Sequence, residues 1–524
     1  MSTLDLVRFP SRRLAAVLRS LVGGALALGA AGFAAAGIQL APLFRDGAVL
    51  QRDKPLPVWG RGAPGERVTV SFRAQKADAI ADESGAWRVT LQAERASAEP
   101  AVLRVAGSGV VEVRDVLVGD VWLCSGQSNM EWKVSQSRDA EKEIAAANFP
   151  LIRQFKIPRS VSAEPAFDAR GEWNACSPDT VGEFSGVAYF FGRALWQERG
   201  VPIGLINSSY GGTVIESWLS EPALKAEPAY PVIRSHWENL LAAHSRKQAD
   251  HEKALAAWTA AAEKAKEAGK PFPARKPPAP EGPGSRWQPA SLYNAMIHPL
   301  VPYALCGVIW YQGEGNGDRY LGAIGHQEYR TLFPAMIAQW RTDFGRPDLP
   351  FYFAQIANCV RKFDPTQQEW AFLREAQSRA LKLPHTGMVV TIDIGEPDNI
   401  HPLNKQEVGR RFALLASALQ DGRAVECSGP QFAFARPEEG GVRLHFNHAA
   451  GLHANGRALA GFEIAGEARR FMPAEAGIEG ETVFVSALSV KSPVAVRYAW
   501  HNTPDACLFN AAGLPAAPFR SDDW

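Results

Sequence analysis

Between residues 119 and 423, short apolar runs alternate with longer amphipathic stretches. This rhythm constrains the fold more than any other feature. Strands separated by helices bury themselves as a mostly parallel sheet with helices on both faces. The strand-like runs fall at 120–124, 203–207, 305–311, 351–356 and 388–393. Helical periodicity is visible near 328–344, 368–382 and 404–421. A further helix is legible in detail. Val187, Phe190, Phe191, Ala194 and Leu195 share one face, with Ser185 placed to cap its start and Gly200 to stop it.

The flanks read differently. Residues 68–72 and 87–91 alternate with period two, as do 442–446, 482–485 and 494–498. The expected organisation is a β-sandwich-like module over 38–118, a catalytic α/β domain over 119–423 and a second β module over 424–524. A length of 524 residues accommodates three such units. The central domain carries an insertion at 221–290. Its first part is rich in Ala, Glu and Lys and predicts a solvated helix, and residues 270–283 predict a stiff Pro-rich linker. Such an insertion is either peripheral or a lid.

The N-terminus predicts export. Arg8, Arg12, Arg13 and Arg19 precede an uncharged stretch, 21–37, and Ala34-Ala35-Ala36 is a small-residue cleavage site. Residues 1–36 are therefore expected to be a signal peptide, and the mature protein to be periplasmic or secreted. No later stretch is apolar enough to cross a bilayer. The whole chain has a formal charge of +1, and loss of four Arg and one Asp leaves −2. Nothing in that balance suggests a nucleic-acid partner. None of the six cysteines forms a C-x-x-C pair. Export permits disulfides, although Cys124 and Cys306 sit in apolar runs and predict buried thiols.

In an open parallel sheet, ligands bind outside the carboxyl ends of the strands. Those ends carry Ser125-Gly126-Gln127-Ser128-Asn129-Met130, Ser208-Ser209-Tyr210-Gly211-Gly212-Thr213, Gln312-Gly313-Glu314-Gly315-Asn316, Asn358, and Asp398-Asn399-Ile400-His401-Pro402. A hydroxyl, free glycine N–H groups, amides, a carboxylate and an imidazole thus gather at one edge. They are the parts of a serine hydrolase with an oxyanion hole. The pattern is neither G-x-S-x-G, because Met130 replaces the second glycine, nor a P-loop. His445, His448 and His453 lie close in sequence without acidic or cysteine companions, and predict a solvated turn more than a metal site.

The four blocks Gly126-Gln127-Ser128-Asn129-Met130, Gly211-Gly212-Thr213, Trp310-Tyr311-Gln312-Gly313-Glu314 and Asp398-x-x-His401-Pro402 resemble those of the SGNH hydrolase superfamily. They are most similar to the sialate O-acetylesterase-like carbohydrate acetylesterases. Phe44-Arg45-Asp46-Gly47 with Leu50-Gln51-Arg52, and the terminal Pro518-Phe519-Arg520-Ser521-Asp522-Asp523-Trp524, extend the likeness over nearly the whole mature chain. The resemblance implies a flavodoxin-like core with Ser128 as nucleophile, His401 as general base and Asp398 orienting His401. It implies an oxyanion hole from the N–H groups of Ser128 and Gly211 and the side chain of Gln312, where many superfamily members use Asn. It implies no cofactor and no metal. Candidate substrate-binding residues are Gln127, Asn129, Trp132, Trp218, Glu314, Arg374 and Gln377, with Trp310 also expected at the mouth. The expected partner is an O-acetylated oligosaccharide or polysaccharide, such as xyloglucan, xylan or a sialic acid, deacetylated through an acetyl-serine. The competing readings are an inactive carbohydrate-binding protein and an SGNH lipase or thioesterase.

Overall fold

The structure is a computed structural model that describes residues 37–317 and 325–524. The expected signal peptide lies outside the described residues. Five parallel strands form the centre: β1 (Val110–Gly126), β2 (Ile203–Ser209), β3 (Gly307–Tyr311), β4 (Phe351–Ala354) and β5 (Thr386–Val389). They lie side by side in the order β2-β1-β3-β4-β5. Every residue of β2, β3 and β4 is buried. Burial on both faces explains why these strands read as unbroken apolar runs.

Two edge strands extend the sheet beyond β2. Phe149–Lys156 pairs parallel with β2, and Trp173–Cys176 pairs antiparallel with it in turn. The sequence pattern does not reveal the first. Arg153 and Gln154 break its apolar run, yet both are buried and hydrogen-bonded. Arg153 donates to the Gly47 carbonyl at 2.8 Å, and Gln154 accepts the Ser185 N–H at 2.9 Å.

β1 is unusually long. Its first half pairs with Ser97–Ala106 and Val49–Gln51, and its second half lies between β2 and β3. The anticipated division at 118/119 therefore falls inside one continuous strand. Facing this N-terminal extension is a three-stranded sheet of Gln39–Leu40, Leu56–Arg61 and Ala86–Leu91. At the other end of the chain, eight short strands between Gln431 and Arg520 form two four-stranded sheets.

The helices named below are α1 (Ser128–Glu131), α2 (Gly186–Arg199), α3 (Tyr230–Glu267), α4 (His326–Asp343), α5 (Glu369–Ser378) and α6 (Lys405–Leu415). At the start of α2, Ser185 Oγ accepts the Ala188 N–H, and Gly200 ends the helix with φ +67°. α3 runs for 38 residues, of which only Ile233 is buried. The Pro-rich segment folds back along it. The Trp258 indole donates to the Ala274 carbonyl at 2.8 Å, and His244 Nδ1 meets the Glu281 carbonyl at 3.2 Å.

All six cysteines are unpaired, and burial raises the thiol pKa of Cys124 and Cys306. No helix among the described residues is long and apolar enough to cross a membrane. His445, His448 and His453 turn to separate partners: His445 stacks on Phe434, His448 Nδ1 meets Glu426, and His453 Nε2 meets the Asn510 carbonyl.

Candidate active site

The carboxyl ends of β1, β2 and β3 converge. Gly126 ends β1 at φ +137°, and a Cβ there would lie 2.2 Å from the Tyr311 carbonyl oxygen. Only glycine permits that approach, and it brings the β1 and β3 loops together. Gln127 fastens them. Its Oε1 accepts the Gly313 N–H at 3.2 Å and the Gly315 N–H at 3.0 Å. Gln127 is buried, and its carbonyl is committed to the fold rather than to a substrate.

The next residue, Ser128, opens α1 and is partly exposed. A first helical residue has no intrahelical acceptor for its backbone N–H, so that donor is available beside its own Oγ. Gly211 abuts it. A Cβ on Gly211 would lie 3.1 Å from Ser128 Cβ. The Gly211 N–H, however, donates to Glu131 Oε2 at 3.0 Å. Glu131 is held in turn by Arg159, with Nε on Oε1 at 2.6 Å and Nη2 on Oε2 at 2.8 Å. The Arg159 guanidinium lies 5.3 Å from the centre of the Tyr210 ring.

His401 approaches the same turn. Its ring stacks on Trp132, with centroids 4.6 Å apart and planes 22° from parallel. Its backbone N–H donates to Asn399 Oδ1 at 3.0 Å. Asn129 Nδ2 bonds the Ile400 carbonyl at 3.0 Å, which ties the loop before His401 to the residue after Ser128. Burial, and then the positive charge of Lys405, push the imidazole pKa down to about 4. No hydrogen bond joins the ring to Ser128 Oγ. Bonds of that kind are commonly long before substrate binds.

Several expected roles meet different geometry. Asp398 is exposed and makes no hydrogen bond to His401, whose ring stacks on Trp132 instead. Gln312 is buried, and its amide donates to the Thr213 carbonyl at 3.1 Å and to Asn316 Oδ1 at 2.9 Å. Both amide protons are thereby spent, so its expected place in the oxyanion hole is corrected to a brace between the β2 and β3 loops. Trp218 and Trp310 are fully buried and pack edge to face at 5.6 Å, so they are core rather than mouth. Arg374 is also fully buried. Its guanidinium serves the carbonyls of Ile356, Ala357, His501 and Asn502, which makes it a staple and not a substrate contact. Gln377 likewise braces the backbone at Ile356 and Gln312. Asn129 and Glu314 are buried and bonded to each other, behind the nucleophile rather than in the opening.

Sequence reasoning missed Glu131, Arg159, Lys405 and the end of the insertion. Glu131 stands three residues after Ser128, one helical turn on, which was its only available signal. The insertion returns to the site through Trp287, whose indole donates to the Gly212 carbonyl at 2.9 Å. The arginine before it lies against Gly212 and pairs with Glu281 at 3.1 Å.

The chain is similar to known proteins along most of its length. A family model described as carbohydrate esterase, sialic acid-specific acetylesterase, matches residues 118–256 and 282–417. The unmatched gap covers the end of α3 and most of the Pro-rich segment. Sialate O-acetylesterase from mouse is 30% identical, with 92% of this chain and 94% of the mouse protein aligned. The human sialate O-acetylesterase is 27% identical over 92% of each chain. The crystal structure of a carbohydrate acetylesterase from Xanthomonas citri is 41% identical in sequence and superposes with a TM-score of 0.77, covering 93% of this chain and 100% of that one.

Proposed function

The chain belongs to the sialic acid-specific acetylesterase family of carbohydrate esterases, and from that membership we propose that it deacetylates glycans through an acetyl-serine on Ser128. The observation that carries this reading is the meeting of Ser128, Gly211 and the Trp132–His401 stack at the carboxyl edge of the sheet. The strand order β2-β1-β3-β4-β5 supports an SGNH core of the flavodoxin-like kind, with β modules on either side.

Ser128 Oγ attacks the acetyl carbonyl while its proton passes to the neutral His401 imidazole. The carbonyl oxygen becomes an oxyanion, received by the Ser128 N–H and by the Gly211 N–H, which exchanges Glu131 for it. His401 then returns the proton to the departing sugar oxygen, leaving acetyl-serine. Water, activated by the same imidazole, attacks the acetyl-serine and acetate leaves. Asp398, three residues before His401, makes no direct hydrogen bond to it.

For the sugar, we favour neutral acetylated plant glycans such as xyloglucan or xylan over sialic acids. Arg159, Arg286 and Arg374 are each engaged by a carboxylate or by carbonyls, so none of these three stands ready for a sialate carboxylate. The signal peptide expected from the sequence at 1–36 would carry the enzyme to where such glycans are met. Acetate release from acetylated xyloglucan, xylan and sialosides tests the choice. A clear preference for the sialosides overturns it, and a preference for acyl chains of eight carbons or more favours a lipase.

A further inference from the structure

Ester hydrolysis as described leaves a buried lysine beside the site unused. Lys405 is the first residue of α6, four positions after His401, and is 1% exposed. Its Nζ donates to Asn129 Oδ1 at 2.6 Å. The same ammonium lies 5.9 Å from the centre of the Trp132 ring and 5.6 Å from that of Tyr311. Asn129 turns its other end to Glu314 Oε1 and to the Ile400 carbonyl. One amide thus spans a buried ammonium and a buried carboxyl, immediately after the proposed nucleophile. Glu314 Oε2 is buried without a hydrogen-bond partner. α2 makes room for the lysine stem at Gly186, where a Cβ would lie 3.2 Å from Lys405 Cβ.

We propose that Lys405 is a positioning residue for the esterase reaction: its ammonium fixes the Asn129 amide beside Ser128 and one face of Trp132, whose ring stacks on His401. The proposal rests on the serine-esterase reading above. An ammonium with three protons and one hydrogen-bond acceptor satisfies itself further on aromatic faces, and such contacts strengthen when water is excluded. Lys405 therefore adds a second tie between the loop of the nucleophile and that of the base, beside the Asn129–Ile400 bond.

Its charge also reaches the imidazole. The titratable groups facing Lys405 are Tyr311 and Glu314 from β3 and its loop, and Glu396 and His401 from the loop before α6. Burial pushes Lys405 down to about 7 and raises the Glu314 carboxyl. In the acid range where His401 titrates, near 4, Lys405 is charged and opposes a second positive charge on the ring.

The test is kcat/KM against pH for 4-nitrophenyl acetate, with wild type, Lys405→Met, Lys405→Gln, Lys405→Arg and Ser128→Ala. Removing the charge in the Met or Gln variant is expected to move the acid limb upward, toward the ordinary histidine value of about 6.5. Loss of register is expected to lower kcat about tenfold or more with KM little changed. The Arg variant retains the wild-type limb. The Gln variant keeps a donor for Asn129 and serves where the Met variant does not fold. A wild-type limb in a folded Met or Gln variant overturns the proposal, as does a limb that moves equally in the Arg variant. If Ser128→Ala is as active as wild type, the serine-esterase reading itself fails, whatever Lys405 does.

Discussion

At Gly211 two acceptors compete for one N–H. Glu131 holds it in the free protein, and the oxyanion needs it in the reaction. Glu131→Ala vacates the donor, so kcat for a small acetate ester should be at least that of wild type. A fall of about 10² or more, the scale of a lost oxyanion donor, shows instead that the Glu131 contact is needed. His401 makes a second prediction. As a base it must be neutral, and burial holds its pKa at about 4. Activity should therefore stay level as pH drops below 6.5 and decline only near 4; a decline centred on the ordinary histidine value contradicts the buried, stacked ring. Asp398→Asn tests the missing contact. Because no hydrogen bond links Asp398 to His401, a loss of less than about tenfold is expected, against about 10⁴ where an aspartate fixes the imidazole directly. At this scale Ser128 and Gly211 could be singled out because each follows closely on a strand, and His401 because it lies in the loop between β5 and α6. Glu131 and Lys405 could not, since a single acidic or basic residue carries no pattern. Trp218 and Arg374 misled for the converse reason: residue type suggests sugar contact, and burial decides otherwise.

The elements were legible wherever one physical rule governed them. β2, β3 and β4 are buried on both faces and appear as apolar runs. α2 carries both its cap and its stop. Phe149–Lys156 escaped because a buried Arg and Gln, satisfied by distant backbone groups, break its pattern. The α1 turn matters most to function, since it presents Ser128, Glu131 and then Trp132 to three different partners. Trp132→Ala removes the surface that holds the His401 ring and leaves α1 intact. It should lower kcat by about 10² through lost orientation while shifting the melting temperature little. An unchanged kcat means that something other than the stack orients the base.

On the scale of the molecule, the α/β core and its β flanks are joined rather than strung together. β1 serves both the N-terminal sheets and the central sheet. The C-terminal segment is held by Arg374, which donates to the His501 and Asn502 carbonyls, and by Arg520, whose Nε donates to Glu375 Oε1 at 2.8 Å. Period-two patterning announced the β segments, but no local signal announces that a boundary runs through one strand. Arg374→Met leaves several buried carbonyls without donors, each costing about 1–3 kcal/mol, so it should lower the melting temperature markedly while KM stays close to wild type. A raised KM with unchanged stability restores the substrate-binding role. On the proposed reading, the scaffold presents Ser128 to an acetyl ester. The most direct test is the rate of acetate release from acetylated xyloglucan by wild type and by Ser128→Ala, with both proteins shown to melt alike. A loss of about 10³-fold or more is expected in the variant, and equal rates would show that Ser128 is not the nucleophile.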